Sequence, residues 1–144
     1  MAITTNAIAS SFKKELLEGK HDFTASTGSA FKLAMYNSTA VLGKSTTSYT
    51  TGAEVTSPAG YTAGGKALVN TGTSVSSSVA ITTFGNLSFT NVTLTARGAL
   101  IYNTSNSNSA VAVLDFVSDK TATAGTFTIQ FPAYTTSAAI LRIS

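Results

Sequence analysis

The chain contains no cysteine and no tryptophan among its 144 residues. Without cysteine it has no disulfide framework, no thiolate nucleophile and no cysteine-ligated zinc site. A chain of this length needs none of these supports, because a domain of about 150 residues buries roughly 68–70% of the surface that its unfolded chain exposes. The sequence therefore predicts one domain built around an ordinary hydrophobic core.

Charge is also scarce, since 10% of the residues are charged against about 25% in an average globular protein. Hydroxyl groups supply polarity instead, because 44 residues are serine or threonine. A net charge of +3 and a hydrophobic content of 43% exclude disorder driven by charge. The nine basic residues are spread thinly and do not form the basic stripe of a nucleic-acid binder. A surface of this kind tolerates close packing against other proteins, because little charge has to be desolvated. The alternative is that the chain uses threonine as many β-sandwich proteins do, without any assembly.

Long hydrophobic runs are missing as well. The first residues show neither the basic region nor the apolar stretch of about 7–15 residues that a secretory signal needs. No run approaches the roughly 20 apolar residues of a membrane-spanning helix, and the longest, residues 110–114, stops at Asp115. We expect a soluble protein that is made in the cytoplasm and does not enter a membrane.

One helix is predicted, close to the N-terminus. Apolar residues spaced four apart give it a single apolar stripe: Ile8, Phe12 and Leu16. Thr5 or Asn6 can cap its start, and Gly19 stands where a left-handed residue ends a helix, so we expect a helix over residues 6–18. A short amphipathic helix must dock to be stable, either on its own domain or on a neighbour.

After this helix the hydrophobic period changes from 3.6 to 2. About eight or nine strands are predicted, two of them with one buried face at residues 31–36 and 127–131; the others lie near residues 50–55, 66–70, 79–83, 87–94, 97–102, 110–116 and 139–143. Turn residues separate them at residues 57–60, 71–74, 103–109 and 123–125. The sequence thus predicts an all-β fold, a single jelly-roll-like antiparallel β-sandwich, with an N-terminal arm and helix over residues 1–20 and the sandwich over residues 21–144 as one structural unit.

Residues 60–66 match the G-x-x-x-x-G-K pattern of a phosphate-binding loop, and the apolar run that ends at Asp115 resembles a magnesium-binding strand. Phosphate binding needs a strand that leads into the loop and a helix that starts at the lysine. The sequence predicts neither, and Ala67 stands where a hydroxyl would bind the metal. We expect a glycine-rich loop or hairpin tip instead of a nucleotide site.

Ionisable residues that could perform catalysis are few, with one histidine and six carboxylates in the chain. His21, next to Asp22, follows the helix end, where an imidazole commonly caps carbonyls, and no G-x-S-x-G elbow accompanies it. Asp115 and Asp119 are an acidic pair that a glycosidase could use, but we expect Asp119 to be solvated. No histidine cluster or aspartate-rich loop indicates a metal. We therefore predict no catalytic residue, no cofactor, no metal and no enzymatic activity.

Arg97 and Asp115 are isolated charges inside predicted strands, where a charge is rarely left unpaired. They can face solvent, pair with each other or meet a partner protein, and of these we expect solvent exposure. Four tyrosines are expected in exposed loops, where they could stack on a sugar: Tyr49, Tyr61, Tyr102 and Tyr134. Without tryptophan, carbohydrate binding is only weakly indicated.

Six segments follow one another in an order that covers nearly the whole chain: residues 11–19 (SFKKELLEG), 31–36 (FKLAMY), 60–65 (GYTAGG), 96–103 (ARGALIYN), 110–116 (AVAVLDF) and 139–143 (AILRI). In this order they resemble a family of small structural proteins of tailed bacteriophages. The resemblance implies a fold and a virion role but no catalytic motif.

Two placements are compatible with that resemblance. In the first, the chain is a capsid cement or decoration protein that binds the outside of the head and stabilises contacts between major capsid subunits. In the second, it is a tail or fibre-associated β-sandwich module that binds another virion protein or a host glycan. We expect the first, with the phage major capsid protein and sister copies of the chain as partners, on the exterior of a capsid assembled in a bacterial host.

The N-terminal segment is our candidate docking site in that role. It combines the apolar residues Ile8, Phe12 and Leu16 with the basic residues Lys13 and Lys14. A molecule that binds the assembled lattice and not the loose subunit stabilises the shell by mass action, and modest contacts repeated by symmetry are sufficient. The alternative is that the helix covers one end of its own sandwich.

Overall fold

The computed structural model describes residues 3–56 and 59–144. Met1 and Ala2 of the predicted N-terminal arm, and Ser57 and Pro58 of a predicted turn, lie outside the described residues. The chain is mostly β, with 47% of its residues in strands and 6% in helix. In chain order the elements are β1 (Ala7–Ile8), α1 (Ser10–Leu17), β2 (Phe31–Tyr36), β3 (Lys66–Ala67), β4 (Asn70–Ser76), β5 (Val79–Phe84), β6 (Leu87–Asn103), β7 (Ser109–Ile129) and β8 (Leu141–Ile143).

The strands form two antiparallel sheets. The larger has the order β1-β7-β6-β2-β3 and the smaller the order β4-β5-β8. The prediction of an all-β fold with one short N-terminal helix is thereby confirmed. One predicted turn also agrees with the sequence, because residues 103–109 close the β6–β7 hairpin, in which Asn103 pairs with Ser109.

The predicted alternation of β2 is wrong, since Ala34 and Tyr36 are as deeply buried as Phe31 and Leu33. β2 lies between β6 and β3, and the chain that follows it returns across its end, where Val55 N–H donates to a backbone carbonyl of β2 at 2.8 Å. An inner strand covered in this way buries both faces, whereas β7 keeps the expected alternation at residues 127–129.

Two predicted turns are strand instead. Residues 71–74 belong to β4, and residues 123–125 lie within β7. The strands predicted separately at residues 87–94 and 97–102 form one long strand, β6, and those at residues 110–116 and 127–131 largely form β7. The β6–β7 pair shifts register at several points. Asn91 and Ala124 take left-handed φ values of 50° and 45°. Such bulges absorb an extra residue without ending the strand, so turn-like residues occur within it.

Helix α1 is shorter at its start than predicted. Asn6 does not cap it, because its Oδ1 accepts a hydrogen bond from Asp115 N–H at 2.6 Å and the next two residues pair with β7 as β1. The predicted end is confirmed. Gly19 has a φ of 72°; its N–H donates to Leu16 O, and Lys20 N–H donates to Glu15 O. This pattern is a Schellman motif.

The N-terminal segment is part of the same core as the sheets. Ile3 is completely buried and packs directly over Gly98 of β6, where a Cβ would lie 2.7 Å from the isoleucine Cδ1. Phe12 of α1 joins a group of aromatic rings that spans the helix and both sheets; its further members are Phe23, Phe31, Phe84 and Phe131. Phe23 and Phe31 stack with centroids 4.6 Å apart. Residues 3–20 thus pack against the two sheets.

Candidate functional site

The predicted docking residues fall into two groups. Phe12 is 2% exposed, and Ile8 and Leu16 pack against the core. Lys13 and Lys14 are exposed. The helix therefore packs its apolar stripe against its own domain, and the buried Phe12 ring is not free to dock on a partner, contrary to expectation. Ile8 and Leu16 stay partly exposed and line a groove together with Lys13, whereas Lys14 lies on the exposed side of the helix.

Leu17 adds an apolar group to that side. It is 91% exposed, the largest value among the bulky hydrophobic residues, and the sequence analysis did not select it because it lies outside the apolar stripe. Next to it, Lys14 and Lys20 both pair with Glu18. Their hydrogen bonds lower the pKa of Glu18 to about 2. The exposed helix surface thus combines lysines, one carboxylate and a bare leucine.

Lys13 lies apart from this ion-pair group. It makes no ion pair with a described residue, and it lines a groove of about 500 Å³ between α1 and the C-terminal segment. Arg142 is the second charged residue of that lining, and its guanidinium donates to Thr136 O at 3.3 Å. No acidic residue belongs to the described lining. The groove is consequently apolar with a positive rim.

His21 is buried and holds the helix to the larger sheet. Ser105 N–H donates to Asn103 Oδ1 at 2.9 Å, which turns the amide nitrogen Nδ2 toward His21 Nδ1 at 2.9 Å. Because an amide nitrogen only donates, Nδ1 accepts, and the proton on Nε2 is donated to Glu15 Oε2 at 2.7 Å. Both ring nitrogens are engaged within the fold. The imidazole therefore does not cap helix carbonyls as predicted, nor does it pair with Asp22.

Glu54 is a buried carboxylate that the sequence analysis missed. It is 8% exposed and accepts three hydrogen bonds: Tyr61 Oη and Gly64 N–H donate to Oε1 at 2.6 and 2.7 Å, and Tyr49 Oη donates to Oε2 at 2.6 Å. Tyr102 completes the group by donating from Oη to Gly64 O at 2.5 Å and stacking on Tyr49. We call Glu54, Tyr49, Tyr61, Gly64 and Tyr102 the Glu54 cluster. The sequence does contain a signal for this cluster: Glu54 is an isolated acidic residue with tyrosines five residues before it and seven residues after it.

The Glu54 cluster corrects the expectation that Tyr49, Tyr61 and Tyr102 are exposed in loops. Tyr61 and Tyr102 are buried, Tyr102 lies in a strand, and Tyr49 is half-buried against it. Burial, followed by the nearby Glu54 charge, raises the pKa of Tyr49, Tyr61 and Tyr102 above its ordinary value. Of these four tyrosines, Tyr134 is the most exposed, at 39%.

The glycine-rich string at residues 60–66 serves the Glu54 cluster. Gly64 takes a φ of 91° and directs its N–H at the carboxylate. Gly65 takes a φ of 79° so close to β2 that a Cβ would lie 1.8 Å from Leu33 O. Lys66 donates from Nζ to Ser88 O at 2.6 Å. Glycine is required at Gly65 because the chain passes directly over the backbone of the neighbouring strand.

Arg97 and Asp115 pair with each other, with Nη2 and Oδ1 3.1 Å apart. Pairing with each other was one of the three arrangements that the sequence allowed. The expectation that both side chains face solvent is wrong, because they are 19% and 9% exposed. Gly98 pairs directly with Asp115, so Arg97, one residue before it, lies beside that carboxylate. Asp119, by contrast, is exposed as predicted.

Comparison with family models, with curated proteins and with solved structures found no match to this chain.

Two structural observations bear on the classes of function considered. Within residues 3–56 and 59–144, no group of three or more histidine, cysteine, aspartate or glutamate side chains could hold a metal ion. The same part of the chain has no helix long and apolar enough to cross a membrane. The buried ionisable residues described above bind one another or the backbone.

Proposed function

We propose that this protein is a structural component of a bacteriophage virion: a cement or decoration protein with a jelly-roll-like sandwich, bound to the outside of the head, where it stabilises contacts between major capsid subunits. The resemblance of its ordered segments to small structural proteins of tailed phages suggests the role. One observation about the fold carries the proposal further: its buried charges are used internally, while residues 67–96, which include β4 and β5, contain no charged side chain.

The internal use of charge is seen at three places. Glu54 is saturated by tyrosine and glycine donors, His21 is held between Glu15 and Asn103, and Arg97 pairs with Asp115. Such pairs fix one conformation of a fold. A rigid element that does not reorganise loses little entropy when it binds a lattice, which suits a clamp.

Residues 67–96 form a stretch of the chain with no acidic or basic side chain. It includes β4, β5 and the first half of β6, and the exposed positions of β4 are mainly serine and threonine. Hydroxyl groups exchange water for protein partners at lower cost than charges do. A surface of this type supports repeated contacts with neighbouring subunits.

The groove between α1 and the C-terminal segment indicates which kind of capsid segment could bind there. Lys13 and Arg142 stand at the rim of an apolar lining, so we expect a capsid segment that presents acidic residues beside an apolar anchor. Complementary charges of this kind set the orientation of a contact and speed its formation. Lys13 and the partly exposed stripe residues Ile8 and Leu16, which line this groove, are the docking element in this proposal.

Copy number in purified particles of the encoding phage tests the placement. Quantitative mass spectrometry should find the protein at hundreds of copies per head, comparable to the major capsid protein, since a clamp acts at every lattice contact. A handful of copies per particle would assign it to the tail or a fibre and refute the cement role.

Heads assembled without the protein test the docking element. Purified wild-type protein should sediment with such heads, whereas Lys13→Glu should bind about tenfold more weakly, which is about 1.4 kcal/mol. Lys44→Glu is the matched control, because Lys44 is also exposed but lies outside the groove between α1 and the C-terminal segment. Equal binding by the two variants would exclude the groove as the contact.

A further inference from the structure

The strand edges of the two sheets differ in how they are protected. In the larger sheet the outer strands β1 and β3 are two residues long, and β3 begins at Lys66. In the smaller sheet β8 is three residues long and carries Arg142. Shortness and charge are the usual means by which proteins prevent an edge from pairing with another chain. Three of the four outer strands have such protection.

The long β6–β7 ribbon has edges too, and other features block them. Its strands shift register at four points, Lys66 binds a β6 carbonyl at Ser88, and Gly60 packs against the backbone at residues 90–92. Asp119 and Lys120 place charges on β7. Bulges and charges both oppose edge pairing.

Strand β4 is the exception among the outer strands. It has seven residues, none of them charged and none of them proline. Its first part is covered, because Asn70 Nδ2 donates to Thr24 O and Ser29 O. From Thr73 to Ser76 every residue is exposed, and Val75 is 72% exposed.

The register of the β4–β5 hairpin shows which backbone groups of β4 are free. Ser77 and Ser78 form a two-residue turn with φ values of 50° and 65°, and Ser76 pairs with Val79 beside it. A turn of this kind is flanked by a hydrogen-bonded pair, after which bonded and non-bonded pairs alternate. The N–H and C=O groups of Thr73 and Val75 therefore point away from β5. No described residue pairs with them.

We propose that β4 pairs antiparallel with β4 of a second copy of this chain, so that the two three-stranded sheets join into one sheet of six strands. A two-fold axis at Ser74 places Thr73 of each copy opposite Val75 of the other copy. That register satisfies all four outward backbone groups of each strand with four hydrogen bonds. Identical uncharged strands meet without charge repulsion, so a second copy fits this edge.

The interface is small, because one strand edge buries less than the roughly 1,200 Å² of a standard interface. We therefore expect a dissociation constant in the micromolar range, and a local concentration raised by assembly on a surface would favour the dimer. The pairing does not depend on the virion role, and the isolated protein is sufficient to test it.

Cysteine crosslinking tests the register directly, because the chain has no cysteine of its own. In the proposed dimer the two Ser74 residues form a non-hydrogen-bonded pair with Cα atoms about 4.5 Å apart, within the range that a disulfide spans. The two Ser76 residues lie about 14 Å apart. Under mild oxidation at about 0.2 mM, well above a micromolar dissociation constant, Ser74→Cys should form a covalent dimer and the matched control Ser76→Cys should not.

Sedimentation equilibrium measures the dissociation constant of the dimer independently, in proteins that carry no introduced cysteine. Val75→Pro removes an outward N–H that β5 does not use, and proline is tolerated at such edge positions. It should weaken dimerisation at least tenfold while the circular dichroism spectrum stays that of the wild type. Val75→Lys keeps the backbone unchanged and should weaken it similarly, whereas Val69→Lys, at another exposed valine, should change it less than twofold.

Three results would overturn the proposal: a wild-type protein that remains monomeric at about 0.2 mM, crosslinking at Ser76→Cys equal to that at Ser74→Cys, or dimers that persist in a folded Val75→Lys protein. None of these results would bear on copy number in the virion, so failure of the pairing and failure of the cement role are distinguished.

Discussion

Replacing Glu54 with glutamine tests whether the Glu54 cluster holds the fold together. The substitution keeps the shape of the side chain and removes its charge. Oε1 remains an acceptor for Tyr61 Oη and Gly64 N–H. The new amide nitrogen takes the place of Oε2, so the Tyr49 hydroxyl, which donates to that oxygen, has to turn and accept instead.

The magnitude follows from the three hydrogen bonds. A bond to a charged group contributes about 1.5–3 kcal/mol and a neutral one about 0.5–1.5 kcal/mol, so the substitution loses about 1 kcal/mol at each bond. Part of this loss is offset because a buried charge no longer has to be desolvated. We expect Glu54→Gln to lower the free energy of unfolding by about 2 kcal/mol. Glu54→Ala leaves all three donors without an acceptor and should cost about 4 kcal/mol.

Urea unfolding at neutral pH measures these differences. Tyrosine emission can follow it alongside circular dichroism, because the chain has five tyrosines and no tryptophan. Glu18→Gln is the matched control, since Glu18 is exposed on the helix and surface ion pairs contribute little. Its unfolding midpoint should stay close to that of the wild type.

A double-mutant cycle locates the effect within the cluster. Glu54→Gln and Tyr49→Phe remove partners of the same hydrogen bond, so their effects should fall short of additivity by about 1 kcal/mol. Tyr134→Phe should add independently to Glu54→Gln, since no hydrogen bond joins Tyr134 to the cluster in the part of the chain that the structure describes. An unchanged midpoint for Glu54→Gln, or equal coupling to both tyrosines, would refute a structural role for the carboxylate.

Three further predictions concern the same fold. Gly65→Ala should lower the free energy of unfolding by about 3 kcal/mol or more, because its Cβ meets backbone at a left-handed φ; Gly43→Ala, with open space around it, is the control, and equal urea midpoints would contradict the close approach. Phe12→Ala should lower the free energy of unfolding by about 3–5 kcal/mol, whereas Leu17→Ala, on the exposed side of the helix, should change it by no more than about 0.5 kcal/mol. If thermal melts showed the larger loss for Leu17→Ala, the helix would bury the opposite face. Finally, burial raises the pKa of the tyrosines of the Glu54 cluster above the unfolded value of about 10, so the folded state binds more protons at high pH. Stability should be unaffected by them below pH 10 and fall above it by about 1.4 kcal/mol per pH unit for each tyrosine; urea midpoints that stay constant from about pH 9 to 11 would contradict this.

Local signals in the sequence were read correctly where one residue decides the geometry. Gly19 marked the end of α1, because a left-handed residue without Cβ suits that position. The polar turn at residues 103–109 closed the β6–β7 hairpin. Alternation over residues 127–129 marked a strand with one buried face. In each case the residues within one turn or one strand contain the information.

Signals failed where distant segments compete. Asn6 looked like a helix cap, yet its side chain binds Asp115, 109 residues further along the chain. The threonine- and glycine-rich residues 71–74 and 123–125 resembled turns, but cross-strand pairing holds them in β4 and β7. Apolar Phe12 looked available to a partner until the aromatic group around it was known. Local propensity is weak compared with such tertiary contacts.

The sequence by itself determined that this is a β protein with one short N-terminal helix, low in charge and without thiol chemistry, because composition and hydrophobic period act over a few residues. Only the tertiary structure decided where the scarce charges are used. It placed Glu54 among tyrosines, His21 between Glu15 and Asn103, and Arg97 against Asp115. Those partners come from different elements, and a buried charge is stabilised only by the geometry that brings them together.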